Sequence, residues 1–361
     1  MATQVLFSQA DASGFANRAS PFAELVKVVY EKPFLKTLDQ DTWAFQLFPR
    51  KSTKDEYVRW KVRTTFNGSI EFYEELDALD AGVNATGGAA AGFTVDTWKN
   101  AEIPLKMARV NMAFSGLTEA ATDAAWIDQR ADVINHTLED FRHGINDALI
   151  RFVTSASTVD ARLPQTIAGV VSDGTSTCSA ATNPRPGQDT YATWNRNGSD
   201  TFARSYVQAA TTERPLTIAL MQKQYATMTI TPTRQADPGS MVIVTTPSIV
   251  DSYGDIADAR RRWNVSGRSG KIDLGYSDFE YKGIPILSPP RWHTVKADVS
   301  TMYWLDKRSW NIYMLKPFET EELSKTTSAP DTITLVVKSY FNLVCKAPWQ
   351  QGLICDLSST Y

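Results

Sequence analysis

Glu56-Tyr57-Val58-Arg59-Trp60-Lys61-Val62-Arg63-Thr64-Thr65-Phe66 is the segment on which the architecture turns. Tyr57, Arg59, Lys61 and Arg63 point one way, and Val58, Trp60, Val62 and Thr64 the other. That is the period-two pattern of a strand with one apolar face. A second extended stretch, about 94–115, returns through Val95, Trp98, Ile103, Leu105, Val110 and Phe114. Pro104 confines part of it to an edge or irregular position. Between the two lie an acidic segment, Glu71 to Asp80, and the run Ala81-Gly82-Val83-Asn84-Ala85-Thr86-Gly87-Gly88-Ala89-Ala90-Ala91-Gly92, which is too poor in large side chains to build a core. The pattern predicts a long two-stranded arm with a small-residue tip. A two-stranded hairpin is marginal alone in water, and this one carries Trp60, Phe66, Phe72, Tyr73 and Trp98. It needs a surface to lie on. Little of the chain is left to supply one, so the economical cover is another copy of the same chain.

Upstream, residues 1–19 are small and polar and read as an arm ordered by a neighbour. Ser20-Pro21 then starts a helix that Pro33 ends. Downstream, the spacing predicts a helix over 118–153. Ile127, Ala131, Ile134, Leu138, Phe141, Ile145, Leu149 and Phe152 recur at intervals of three and four, with charged residues between them. This is a spine with one apolar stripe. Residues 172–203 are loop-rich. Beyond them, helices (Thr217–Met228, Ser248–Trp263) alternate with strands (Met241–Thr245, Phe279–Leu287, Met302–Leu305, Trp310–Leu315, Thr332–Val344). The fold class is α+β, with no internal repeat.

Composition excludes several functions. The 361 residues include 37 Lys+Arg and 40 Asp+Glu, a formal charge of −3, which is no basic nucleic-acid clamp. With 43% hydrophobic and 11% aromatic residues, it is no charge-driven disordered chain. No run approaches the ~20 apolar residues of a membrane helix, and Met1–Ala10 lack the pattern of a signal peptide. Cys178, Cys345 and Cys355, odd in number and far apart, predict neither a disulfide framework nor a zinc site, and favour a reducing compartment. His136 and His143 lie two helical turns apart, roughly 10 Å, too far for one metal. His293 has no evident partner. Gly267-Arg268-Ser269-Gly270-Lys271 fails as a phosphate loop, because Val265 stands where the first glycine belongs and Ile272 where Ser or Thr belongs. No nucleophile elbow, zinc-protease or dinucleotide motif occurs. Paired carboxylates at Glu74-Glu75 and Asp77/Asp80 read as a solvated face, and Cys345 as a packed small hydrophobe. Catalytic, cofactor-binding and metal residues are therefore expected to be none.

What remains are contact surfaces. Arg260, Arg261, Arg262 and Arg268 cluster at a helix end. They either complement that helix's negative terminus or meet an acidic segment of another subunit, with Glu71–Asp80 the obvious candidate. The inter-subunit candidates are Arg59, Trp60, Lys61, Arg63, Glu71, Glu74, Glu75, Asp77, Arg260, Arg261, Arg262 and Arg268.

Several segments carry a resemblance. They are Leu163-Pro164-Gln165-Thr166-Ile167-Ala168-Gly169; Tyr191-Ala192-Thr193-Trp194-Asn195-Arg196; Val242-Ile243-Val244-Thr245-Thr246-Pro247; Leu274-Gly275-Tyr276 through Tyr281-Lys282-Gly283-Ile284-Pro285-Ile286; and Asn342-Leu343-Val344-Cys345 with Pro348 and Gln351-Gly352. Their order, over about 45–355, resembles the major capsid proteins of tailed bacteriophages, whose fold is named after a Hong Kong coliphage. The resemblance implies an N-terminal arm (1–44), an E-loop with its base (45–106), a P-domain with the spine helix (107–160), an A-domain (161–330), and a C-terminal return strand and tail (331–361). It implies a subunit that self-assembles into pentamers and hexamers around double-stranded DNA, is located in the virion capsid and is assembled in the host cytoplasm. The implied partners are other copies of the chain, a separate scaffolding protein (only about 40 residues precede the E-loop), a portal and decoration proteins. DNA is held by non-specific confinement, and no membrane is involved. Some relatives cross-link through an E-loop lysine. None lies between Lys61 and Lys99 here, so a noncovalent shell is expected. An encapsulin-like nanocompartment shell is the alternative with the same fold. A carbohydrate-active enzyme or binding protein is the alternative from another class.

Overall fold

The computed structural model describes residues 43–64, 71–72, 83–84, 97–115, 129–150, 162–176, 178, 189–210, 212–231, 234–258, 280–289, 301–323 and 332–358. The expected arm (1–19), the Ser20–Pro33 helix, the small-residue tip beyond Asn84 and the Arg260–Arg268 cluster lie outside them. In chain order come α1 (Trp43–Leu47), β1 (Arg50–Ser52), β2 (Tyr57–Arg63), β3 (Glu71–Phe72), β4 (Val83–Asn84), β5 (Trp98–Pro104), β6 (Lys106–Ser115), α2 (Gln129–Ile150), α3 (Ile167–Val170), β7 (Thr190–Tyr191), β8 (Trp194–Asn195) and β9 (Tyr206–Gln208). Then follow α4 (Ile218–Ile230), β10 (Met241–Thr245), α5 (Pro247–Asp258), β11 (Glu280–Tyr281), β12 (Ile284–Leu287), β13 (Met302–Asp306), β14 (Trp310–Leu323), β15 (Thr332–Cys345) and β16 (Gly352–Ile354). No described helix is long and apolar enough to cross a membrane.

Two sheets organise these elements. A four-stranded sheet runs β1-β14-β15-β6, and a six-stranded sheet runs β11-β12-β10-β13-β16-β9. Strand β10, Met-Val-Ile-Val-Thr, is buried throughout because both faces of its sheet are covered. Val242 and Val244 join Tyr303, Leu305 and Leu353 in the core shared with the four-stranded sheet. Met241 and Ile243 alternate to the opposite side, with Met302, Trp304 and Ile354, where Met221 and Met228 of α4 and Ile249 of α5 meet them. The strand period thus allots each residue to one of two cores.

The spine helix is seen over 22 residues, Gln129–Ile150, about 33 Å of helix. The rest of the expected 118–153 span lies outside the described residues. Phe141, Ile145 and Leu149 form its buried stripe. Asn146 lies on the same side, and its Oδ1 accepts the Ala44 N–H at 3.0 Å, which ties α1 to the spine. Behind α1, Phe48 stacks on Trp310 with ring centroids 5.1 Å apart.

Three expectations need revision. First, Cys178 and Cys355 form a disulfide with Cα atoms 5.8 Å apart, although none was expected. Their 177-residue separation hides the pairing, because only the closed fold brings them together. Second, Trp310–Leu323 is longer than expected and pairs with β15 in the four-stranded sheet, not in the six-stranded sheet that holds β9 to β13. The register shifts on either side of Lys316 let the strand pass Pro317, which has no N–H to donate. Third, Phe279–Leu287 is two strands, not one. The chain turns at Lys282 (φ 51°) and Gly283 (φ 78°), the two positive-φ positions of a tight hairpin.

Candidate assembly surface

Strands β2 and β5 form a separate two-stranded ribbon, paired from Tyr57↔Pro104 to Arg63↔Trp98. Thr64 N–H to the Thr97 carbonyl (2.9 Å) and Leu105 N–H to the Glu56 carbonyl (2.9 Å) extend the pairing at either end. Farther along the same excursion, β3 pairs with β4 through Glu71↔Asn84 and Phe72↔Val83. The return stretch expected over 94–115 changes sheet at Leu105. Strand β5 ends at Pro104, and β6 begins at Lys106 to pair with β15.

The ribbon's two faces differ as the alternation predicts. Val58, Ala101 and Ile103 are buried in the main core, with Trp60 and Val62 packed against it. The outward face carries Arg59, Lys61 and Arg63, all exposed. Directly across the ladder stand Glu102, Asn100 and Trp98, the last 55% exposed. The Arg59 Nε donates to Glu102 Oε2 at 2.9 Å in an exposed pair, worth no more than ~1 kcal/mol. The face is therefore a short cationic row beside one exposed indole.

The hairpin β7–β8 fixes the ribbon's root. Its two turn residues, Ala192 (φ 51°) and Thr193 (φ 73°), both have left-handed backbone, which makes a two-residue type I′ turn. From this hairpin the Trp194 Nε1 donates to the Asn100 carbonyl at 3.0 Å, and Thr193 Oγ1 donates to the same carbonyl at 3.3 Å. The Glu102 N–H reaches the Ala192 carbonyl at 3.4 Å. Trp60 meets Trp194 edge-on at 5.6 Å, and Trp194 meets Phe202 at 5.3 Å. Lys99 pairs with Asp200 at 3.2 Å.

The hairpin is itself anchored to the four-stranded sheet and, through the residue after it, to α3. The Tyr191 hydroxyl donates to the Cys345 carbonyl (2.8 Å) and accepts the Cys345 N–H (2.7 Å). Burial pushes that hydroxyl's pKa well above the usual tyrosine range, so it stays a neutral donor. The buried Arg196 guanidinium lies 4.8 Å from the Tyr191 ring and donates to the carbonyls of Gly169 and Val170. Asn342 completes the root. Its Nδ2 donates to the Pro104 carbonyl at 2.7 Å, and its Oδ1 accepts the Gln165 N–H at 2.8 Å.

Of the expected contact residues, the structure gathers Arg59, Lys61 and Arg63 on the outward ribbon face. It turns Trp60 inward onto Trp194 of the same chain. Glu71 lies on β3, and Glu74, Glu75, Asp77, Arg260, Arg261, Arg262 and Arg268 fall outside the described residues. The anchoring roles of Tyr191, Trp194 and Asn342 carried no sequence signal beyond their place in the quoted segments. Among the described residues, one group brings potential metal-ligand atoms together: Cys178, Cys355 and Asp356. Two of its three members are already joined as the disulfide.

No family model matches the chain, and no curated protein matches it in sequence. Solved structures do. The chain is similar to a subunit in the capsid asymmetric unit of cyanophage A-1(L), with a TM-score of 0.63 and 18% identity over 91% of this chain and 96% of that one. It is similar to a capsid chain of a native GTA particle, with a TM-score of 0.57 and 14% identity over 98% and 100%. It is also similar to the SrpI encapsulin of Synechococcus elongatus, with a TM-score of 0.52 and 10% identity over 99% and 98%. The chain thus has the fold of tailed-phage major capsid proteins along nearly its whole length.

Proposed function

We propose that this chain is the major capsid protein of a tailed phage, a structural shell subunit and not an enzyme. Copies assemble into pentamers and hexamers that tile an icosahedral container for double-stranded DNA. The observation that carries the reading is the fold match to capsid chains over nearly their full length. The β2–β5 ribbon supports it. Its inner face is anchored at the root, while its outer face exposes Arg59, Lys61, Arg63 and the Trp98 indole. In the proposed shell this face and the excursion beyond it lie against a neighbouring copy. The mild negative charge of −3 suits a wall past which packaged DNA slides. A separate scaffolding protein, a portal and decoration proteins are the proposed partners, with assembly in the host cytoplasm.

The second reading, a nanocompartment shell, is favoured by the encapsulin match, at a lower TM-score than the cyanophage capsid. Electron microscopy of the purified chain, alone and with a candidate scaffolding protein, tests both. Closed shells or hexameric tubes are expected, and uniform monomers under both conditions would sink the shell reading. Nuclease-protected DNA in particles recovered from infected cells separates a genome capsid from a cargo compartment.

A further inference from the structure

Cys178 follows the turn built on Asp173, whose carboxylate accepts the N–H groups of Thr175 and Ser176. Cys355 follows β16, which sits between β13 and β9 in the six-stranded sheet. Beyond β16 the chain is stitched to the segment after β9. The Asp356 carboxylate accepts the Ala210 N–H at 2.8 Å, the Arg214 N–H reaches the Asp356 carbonyl at 2.8 Å, and the Ser358 N–H reaches the Arg214 carbonyl at 2.8 Å. Both sulfurs are buried, Cys178 at 2% and Cys355 at 0% exposure. The bond between them encloses all six strands of the six-stranded sheet together with β14 and β15.

We propose that the Cys178–Cys355 disulfide is a covalent lock, closed by oxidation after the chain has folded, that fixes β16 and the residues behind it in the sheet. Closure needs no other part of the protein to react. A local opening of the chain end behind β16 exposes one thiolate, which attacks a low-molecular-weight disulfide of the oxidised-glutathione class, forms a mixed disulfide and releases one small thiol. The second cysteine then displaces the other small thiol. The protein loses two hydrogens and the small disulfide is reduced to two thiols. Folding precedes closure because the partners are 177 residues apart, and only the assembled sheet holds their Cα atoms at 5.8 Å, within the range a disulfide spans. The third cysteine does not compete. Cys345 is held inside β15, in register with Trp310 of β14 and with its sulfur 3.4 Å from Ser309 Oγ, away from the chain end behind β16, and burial pushes its thiol up to about 12. The proposal does not depend on the shell reading.

The test uses the full chain, purified anaerobically with a chelator to strip thiophilic metals. Samples before and after exposure to oxidised glutathione are denatured in iodoacetamide and weighed by intact mass spectrometry. Three adducts are expected before and one after, with peptide mapping placing the survivor at Cys345. Oxidation should also raise the melting temperature by ~5–10 °C, a large-loop closure spread over a chain of this size. Cys355→Ser and Cys178→Ser should melt with the reduced protein and ignore the oxidant, and Cys345→Ser should respond like wild type. If a serine variant fails to fold, the reduced and oxidised wild-type samples carry the comparison alone. Three adducts after oxidation, or one adduct with an unchanged melting temperature, overturns the lock.

Discussion

Gly352 stands where two layers meet. A Cβ there would run into the side-chain amide of Gln224 and the sulfur of Met228, both on α4. That amide is itself in use, with Gln224 Oε1 accepting from Gln208 Nε2 at 2.7 Å and Nε2 donating to the Tyr206 carbonyl. Gly352→Ala should therefore cost about 1–3 kcal/mol by overpacking, read from the urea midpoint. Asp306 offers a second test. Burial works to raise its carboxyl, but hydrogen bonds from the Arg308 side chain, Ser240, and the N–H groups of Arg308 and Asp237 outweigh it and hold the pKa below the ordinary aspartate value. A lowered folded pKa means that its contribution is present above the unfolded value of ~3.9 and is lost as pH falls through the folded value. Wild type should lose stability below about pH 4 more steeply than Asp306→Asn. Parallel acid melts of the two proteins would contradict this.

The β7–β8 hairpin is the smallest element and holds the most consequential contacts. Trp194→Phe keeps much of the packing but loses the bond to Asn100, at about 1 kcal/mol. Trp194→Ala also opens a cavity between the ribbon and the core, for about 3–5 kcal/mol. Hydrogen exchange should show the loss concentrated in β2 and β5, and uniform exposure across both sheets would deny the hairpin its anchoring role. This element also marks the limit of sequence legibility. Strand β2 was readable from its alternation, and β10 from its unbroken apolar run. The hairpin was not, because its turn places Ala192 and Thr193 where Asn-Gly is the usual signal. Strand β14 was recognised, but not the sheet it joins. Its partners are set by long-range pairing with β15 and by the parallel register of β1 (Arg50↔Ile312), which no local pattern encodes.

For the proposed assembly as a whole, the outward ribbon face makes the sharpest demand. Lys61→Glu with Arg63→Glu reverses two exposed charges and should leave the subunit's stability within ~0.5 kcal/mol. Particle yield should fall steeply and depend strongly on salt, because charge across an interface governs encounter and register. Sedimentation of wild type and variant measures it, and equal yields would assign this face to solvent. The ribbon's exposed face was legible in advance, since Arg59, Lys61 and Arg63 alternate with Val58, Trp60 and Val62. The surface proposed to oppose it was not, because pairing between copies would leave no mark on either segment's own periodicity.

The path of the backbone through the six-stranded sheet sets a clock on biosynthesis. Strand β9 hydrogen-bonds in parallel to β16, from Tyr206↔Gly352 to Gln208↔Ile354. At ~5–20 residues per second of translation, β9 leaves the ribosome roughly seven to thirty seconds before its neighbour exists. Throughout that interval β13 also lacks the strand that separates it from β9. A nascent subunit therefore holds an open, sticky sheet, and it completes its native edge order only when β16 arrives. Chains crowded on one polysome would be exposed to mispairing with each other in that window. The fold thus places a premium on chaperone shielding of the open sheet until translation is nearly done.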